Sequence, residues 1–220
     1  MKALALFHPF VLPYADGCSV PMADQAVLSA CIEFCSATQL VQRTSVDNVV
    51  AGWQDYDVEV PSQMVLVRLL RVFFKDMPLA PVPLHSVASG TATQGAAVGD
   101  AILARSAGPT VYFTKDPTAS EYSVYPVPDT AVPNGLTVRA AFAPARTAGQ
   151  VDDVLFDDYA ECIAYGALGR LLATPNMPFT DALSASRYLA AFRASRASAA
   201  TLARTGQIVS SSRVTPVRFN

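Results

Sequence analysis

The sequence predicts an α+β fold. A helical bundle core, built from an N-terminal helix and a C-terminal helical hairpin, carries an inserted antiparallel β-sandwich or barrel and an extended C-terminal arm. Three observations predict it. Helical periodicity occupies both ends of the chain, two-residue alternation and turn chemistry fill the middle, and the last stretch is too poor in apolar residues to build a core. The expected boundaries are 1–43 for an N-terminal arm and helix, 44–146 for the β-rich insertion, 147–206 for the helical hairpin and 207–220 for the arm.

Residues 1–20 contain Pro9, Pro13 and Gly17 and read as an irregular or extended arm. A helix starts near Pro21, because proline suits a first turn where its missing N–H costs nothing. Asp24 places a carboxylate near the positive end of the helix dipole. Val27, Ala30, Cys31, Phe34 and Cys35 recur at three- and four-residue spacing and make one apolar stripe. The helix is expected to fade between Gln39 and Arg43.

Farther on, Tyr56, Val58 and Val60 alternate with Asp55, Asp57 and Glu59, the period of a half-buried strand. Residues 64–74 are rich in Val, Leu and Phe and read as a long strand, turned by residues 75–78. Residues 111–113 and 122–125 flank Lys115-Asp116-Pro117 as a hairpin. Asn134-Gly135 reads as a turn before a strand over 136–142. The single tryptophan, Trp53, is expected to anchor the sheet edge or the core.

From Val151 the pattern is helical again. Val154, Leu155, Tyr159, Cys162, Ile163, Gly166, Ala167 and Leu171 describe one apolar face, ended by Pro175 and Pro178. Thr180 or Asp181 caps a second helix. Leu183, Tyr188, Leu189, Phe192, Ala199 and Leu202 carry its apolar side, and Gly206 ends it. The short linker makes the pair an antiparallel hairpin. Gly166, Ala167 and Gly169, with Ala190, Ala191, Ala194 and Ala197, would allow close helix contact.

Composition narrows the function. Hydrophobic residues are 51% of 220 and charged residues only 15%, against roughly 25% in an ordinary soluble domain. Much of the surface is therefore expected to be covered by other subunits. The net charge of −2 excludes a uniformly basic nucleic-acid binder. No apolar run reaches the length of a membrane span. His8, Pro9 and Pro13 break the apolar start too early for a secretory leader, so the chain is expected to be made and used in a cytoplasm.

Catalytic, cofactor and metal sites are not expected. The only histidines, His8 and His85, lack a nucleophile elbow nearby and read as structural. Cys18, Cys31, Cys35 and Cys162 have the wrong spacing for zinc and read as reduced, largely buried thiols. The glycine-rich run over 89–99 is neither a Walker loop nor a dinucleotide fingerprint. A divalent-metal enzyme using Asp152, Asp153, Asp157, Asp158 and Glu161 is the minor alternative.

Charge is unevenly placed. Residues 1–181 hold 10 Lys/Arg and 18 Asp/Glu, whereas 182–220 hold six arginines and no acid. Arginine suits forked recognition of carboxylate or phosphate, so this end is read as docking onto an acidic partner. Asp153 and Asp157 opposite Arg187, Arg193 and Arg196 are the candidate subunit–subunit residues. One negative and one positive surface on a single chain suits head-to-tail rings.

The order of motifs adds a resemblance. Glu33-Phe34-Cys35-x-x-Thr38 is followed by Ala51-Gly52-x-x-x-Tyr56, Val60-Pro61, Leu79-x-Pro81-Val82 and Gly108-Pro109 ahead of Tyr112. Then come Tyr125-Pro126-x-Pro128-Asp129, Leu136-x-Val138-Arg139-Ala140, Tyr165-Gly166-Ala167-Leu168-x-Arg170, Pro175-x-x-Pro178-Phe179-x-Asp181 and Tyr188-x-x-x-Phe192. This series, over residues 21–219, resembles the head-to-tail adaptor (connector) proteins of tailed double-stranded DNA phages, especially short-tailed ones. Family members often carry tryptophan where Phe179 stands and at the end of the first helix; this chain departs there.

The resemblance implies a virion structural protein at the head–tail junction, assembled in the host cytoplasm. Such adaptors form a ring, typically of twelve copies, beneath the portal, with a tail nozzle or tail tube protein below and double-stranded DNA passing through. The arm would reach the portal, with Arg204, Arg213, Val217, Arg218 and Phe219 as candidate portal-binding residues. Another neck or tail-completion protein of the virion is the alternative.

Overall fold

The computed structural model describes residues 1–82, 108–114 and 120–205, with only the backbone of Arg204 and Thr205. It is an α+β protein with mixed helices and largely antiparallel sheets. The predicted loop over 89–99, His85 and the arm over 207–220 lie outside the described residues.

The chain opens with β1 (Lys2–Ala3), a 3-10 turn (Leu4–Phe7), α1 (His8–Val11) and a second 3-10 turn (Leu12–Tyr14). The expected irregular arm is thus corrected. Pro9 and Pro13 occupy first turns of short helices, where proline is tolerated. Leu4, Phe7 and Val11, spaced three and four apart, are buried. Phe7 meets Phe156 edge-to-face at 5.2 Å between centroids, and His8 Nε2 lies 2.7 Å from Asp24 Oδ1.

α2 (Val20–Thr38) begins one residue before Pro21 and stops where Gln39 turns left-handed, with φ 54°. Its stripe of Val27, Ala30, Cys31, Phe34 and Cys35 is buried as the periodicity requires. Fully burying such a side chain as Phe34 stabilises by roughly 1.5–3 kcal/mol. The helix packs on β9 (Val132–Pro144) and on the C-terminal helices.

The strands are β2 (Gln42–Val49), β3 (Asp55–Asp57), β4 (Met64–Phe74), β5 (Met77–Pro78), β6 (Ala80–Pro81), β7 (Val111–Phe113), β8 (Glu121–Tyr125), β9 and β10 (Gln150–Val151). One four-stranded sheet runs β2-β9-β4-β5, a second β3-β8-β7-β6, and β10 pairs with β1. The β6–β7 pair is parallel, so the region is not wholly antiparallel. β4 keeps its length through two register shifts, between Leu66 and Arg68 and between Leu69 and Arg71. The shifts re-phase the strand so that both arginines stay exposed while Val72 and Phe74 are buried.

Two expectations in this region fail for physical reasons. Asn134-Gly135 is not a turn between strands but an irregularity inside β9, where the register jumps from Asp47↔Leu136 to Val49↔Val132. Asparagine tolerates the positive φ of 51°, and Gly135 leaves room for Val49 and Val132. Trp53 anchors nothing: it is 60% exposed in the β2–β3 connection. That connection is held by the half-buried Tyr56, whose hydroxyl donates to the Trp53 carbonyl at 3.2 Å.

The predicted helix after Val151 is split. Asp152 caps α3 (Asp153–Asp157), its Oδ1 accepting from Val154 N–H at 3.2 Å, and Asp158-Tyr159 separates it from α4 (Ala160–Leu172). α5 (Ala182–Thr205) follows the proline-containing turn. Phe179 in that turn is buried. Most large buried apolar side chains of helices and sheets belong to one continuous core.

Candidate functional site

The candidate subunit–subunit residues fall on the C-terminal hairpin and the candidate portal-binding residues on its end and the arm beyond it; the local causes of the hairpin are clear. Asp181 starts α5: its Oδ1 accepts from the backbone N–H of Leu183 at 3.0 Å and of Ser184 at 3.1 Å. The Ser184 hydroxyl, donating at 2.5 Å, and then these backbone bonds hold the Asp181 carboxyl below its usual range. α4 and α5 then run antiparallel. A Cβ placed on Gly166 would meet Phe192 at 2.9 Å, and one on Gly169 would meet Leu189 at 2.6 Å. The expected close helix contact is present at both glycines, and the side chains that fill it are Phe192 and Leu189, while Ala190, Ala194 and Ala197 are exposed.

Glu33 of α2 ties three helices together. Its two carboxylate oxygens accept from Arg170 of α4 and Arg196 of α5. Both guanidinium groups also lie 5.7 Å from the centroid of the Phe192 ring. Arg196, expected at a subunit interface, is thus engaged inside its own chain. It was placed on the charged face because periodicity alone does not reveal a carboxylate on another helix.

The acidic counterpart is partly engaged as well. Asp153 Oδ1 lies 2.7 Å from the α-amino nitrogen of Met1, which holds its carboxyl below the usual range, and Asp157 lies 3.5 Å from Lys2 Nζ. Asp152 pairs with Arg43 of β2. Arg187 and Arg193 remain exposed, without an ion pair among the described residues. Asp158 and Glu161 are likewise exposed and unpaired among them. The side chain of Arg204, and Arg213, Val217, Arg218 and Phe219, lie outside the described residues.

Between the start of α4 and the C-terminal half of α5 opens a groove of about 690 Å³. Phe10, Phe156, Tyr159 and Tyr165 supply aromatic surface, and Asp157, Asp158 and Glu161 supply an acidic lip. Sequence reasoning found the acids but missed the groove, because Phe10 lies far away in the chain. Leu202, expected in the core, lines this groove and is 54% exposed; Leu183 is 64% exposed at the other end of α5. Both were assigned to the apolar side because the α5 pattern is diluted by alanine, so its stripe has no sharp edge.

Cys31, Cys35 and Cys162 are buried and Cys18 is half-buried. Burial pushes the Cys35 thiol up to about 12 and the Cys162 thiol to about 11. Among the described residues no group of three or more His, Cys, Asp or Glu is placed to hold a metal, and no helix is long and apolar enough to cross a membrane. No family model matches the chain, and no curated protein matches it.

Proposed function

We propose that the chain is a structural protein of a tailed-phage virion, a head-to-tail adaptor that assembles as a ring between portal and tail and lines the DNA exit channel. The observation that carries this reading is the ordered series of motifs from Glu33-Phe34-Cys35 to Tyr188-x-x-x-Phe192, followed by arginines without acids. Supporting it, Phe34, Phe179 and Phe192 of that series are buried side chains of the helical region. In this reading the helices form the ring-building bundle and the two sheets an inserted sandwich. The C-terminal segment docks on the portal through Arg204, Arg213, Val217, Arg218 and Phe219. A nozzle or tail tube protein sits below. Assembly takes place in the host cytoplasm, and no catalytic step is assigned.

Many copies docking together on one ring convert weak single contacts into firm attachment. The test is capture of portal rings by the full chain and by its R213E/R218E variant. The expected result is capture by the first and loss by the second, with unchanged thermal unfolding. Capture by both overturns the portal-docking role. Binding to a tail protein but not to portal would reassign the chain to another neck or tail-completion component.

A further inference from the structure

The groove at the open end of the helical hairpin has no occupant among the described residues. Its floor is aromatic, through Phe10, Phe156 and Tyr165, and its lip carries Asp158 and Glu161, which have no ion pair among those residues. Its α5 wall is made of Ser195, Ser198 and Ala199, which are small, and of the exposed Leu202. The opposite chemistry lies at the other end of the same helix. There Leu183 is 64% exposed beside Arg187, and Ala190 and Ala194 continue the exposed face with Arg193 flanking it.

We propose that the groove of one copy receives this Leu183–Arg187 face of α5 from a second copy of the chain. A leucine on aromatic surface and arginines against two uncommitted carboxylates satisfy both partners at once. A chain cannot make the contact with itself. Arg187 and Ser198 are on one continuous helix, roughly 16 Å apart at 1.5 Å per residue, so the face and the groove hold fixed positions. The two surfaces differ, so the contact is heterologous and repeats from copy to copy, as a ring requires. The inference rests on the ring reading above and names the interface that reading needs.

The experiment is sedimentation velocity of the full chain over a concentration series, with R187E, E161K and their equimolar mixture. The wild type is expected to self-associate beyond a dimer. Each reversal should weaken association by roughly tenfold or more, because like charges are then apposed. The mixture should associate more strongly than either variant alone, since one intact face and one intact groove remain. R193E is a second variant on the same face, and all are checked for unchanged thermal unfolding. A strictly monomeric wild type, growth that stops at a dimer, or association indifferent to the reversals overturns the proposal. Sensitivity to R213E/R218E instead of R187E would give the groove to the C-terminal segment and overturn it too. Portal capture is scored separately: capture retained with association indifferent to R187E removes this contact and leaves the adaptor reading standing.

Discussion

Glu33 is the side chain through which three helices speak to one another. It accepts from Arg170 and Arg196, and both arginines flank Phe192. The Glu33 side chain is 44% exposed, so solvent screens the pairs and their contribution is modest. Glu33→Ala is expected to cost about 1 kcal/mol, read as a lower urea midpoint at unchanged slope; an unmoved midpoint would show the pairs to be silent. Thiols make a second residue-scale case. Burial raises Cys35 to about 12 and Cys162 to about 11 from an ordinary 9.0. Folding therefore favours the protonated thiol. Its contribution is complete below the unfolded value and is lost as pH climbs from there toward the folded values. The unfolding midpoint should hold between about pH 7 and about pH 8 and fall above 9.0. Cys35→Ala should flatten part of that alkaline fall relative to neutral pH; an undiminished fall would assign it to other groups.

At the scale of elements, the C-terminal hairpin was legible in its caps and its linker but not in its contacts. Asp181 could be read as a cap because its chemistry is local, spanning two or three residues. Gly166 could be read as a close-approach site, yet its partners, Phe192 and Ala30, come from two other helices and only the tertiary structure supplies them. Gly166→Ala would gain about 1 kcal/mol in helix propensity. It would also force a methyl group against Phe192 at 2.9 Å and Ala30 at 3.0 Å. Overpacking costs typically about 1–3 kcal/mol, so a net loss of stability is expected. Gly149→Ala is the control, because nothing lies within 4 Å of its Cβ, and it should be neutral or slightly stabilising. Thermal unfolding of the two variants decides; equal midpoints would mean the hairpin tolerates a wider separation. The N-terminal segment was misread for the converse reason. Pro9 and Pro13 signal irregularity locally, but Phe7 and Val11 are buried against distant elements. In the sheets, the length of β4 was legible, whereas the parallel β6–β7 pair was not, because alternation carries no information about strand direction. The acidic residues of the groove were visible in sequence. The groove itself was not, since Phe10 of α1 and the turn before α4 meet only in space.

At the scale of the whole molecule, the decisive quantity is the separation of charge. Residues 1–181 carry 10 cations against 18 anions, while 182–220 carry six arginines alone. One of the six, Arg196, is engaged by Glu33. Of the other five, Arg187 and Arg193 are exposed on α5 and belong to the contact proposed between copies, whereas Arg204, Arg213 and Arg218 are the candidate portal-docking arginines of a segment attached to an acidic body. If docking on the portal runs through them, long-range attraction should govern the encounter, and short-range packing of Val217 and Phe219 the lifetime. Screening acts on the first far more than on the second, because the Debye length shrinks from about 10 Å at 0.1 M to about 3 Å at 1 M salt. Capture kinetics on immobilised portal rings should thus show an association rate falling about tenfold or more over that range, with a dissociation rate changing much less. Phe219→Ala should do the reverse, accelerating dissociation and leaving the salt dependence of association intact. An association rate flat across the salt series would remove the arginines from the encounter, and the charge separation would then need a different use, such as the contact between copies.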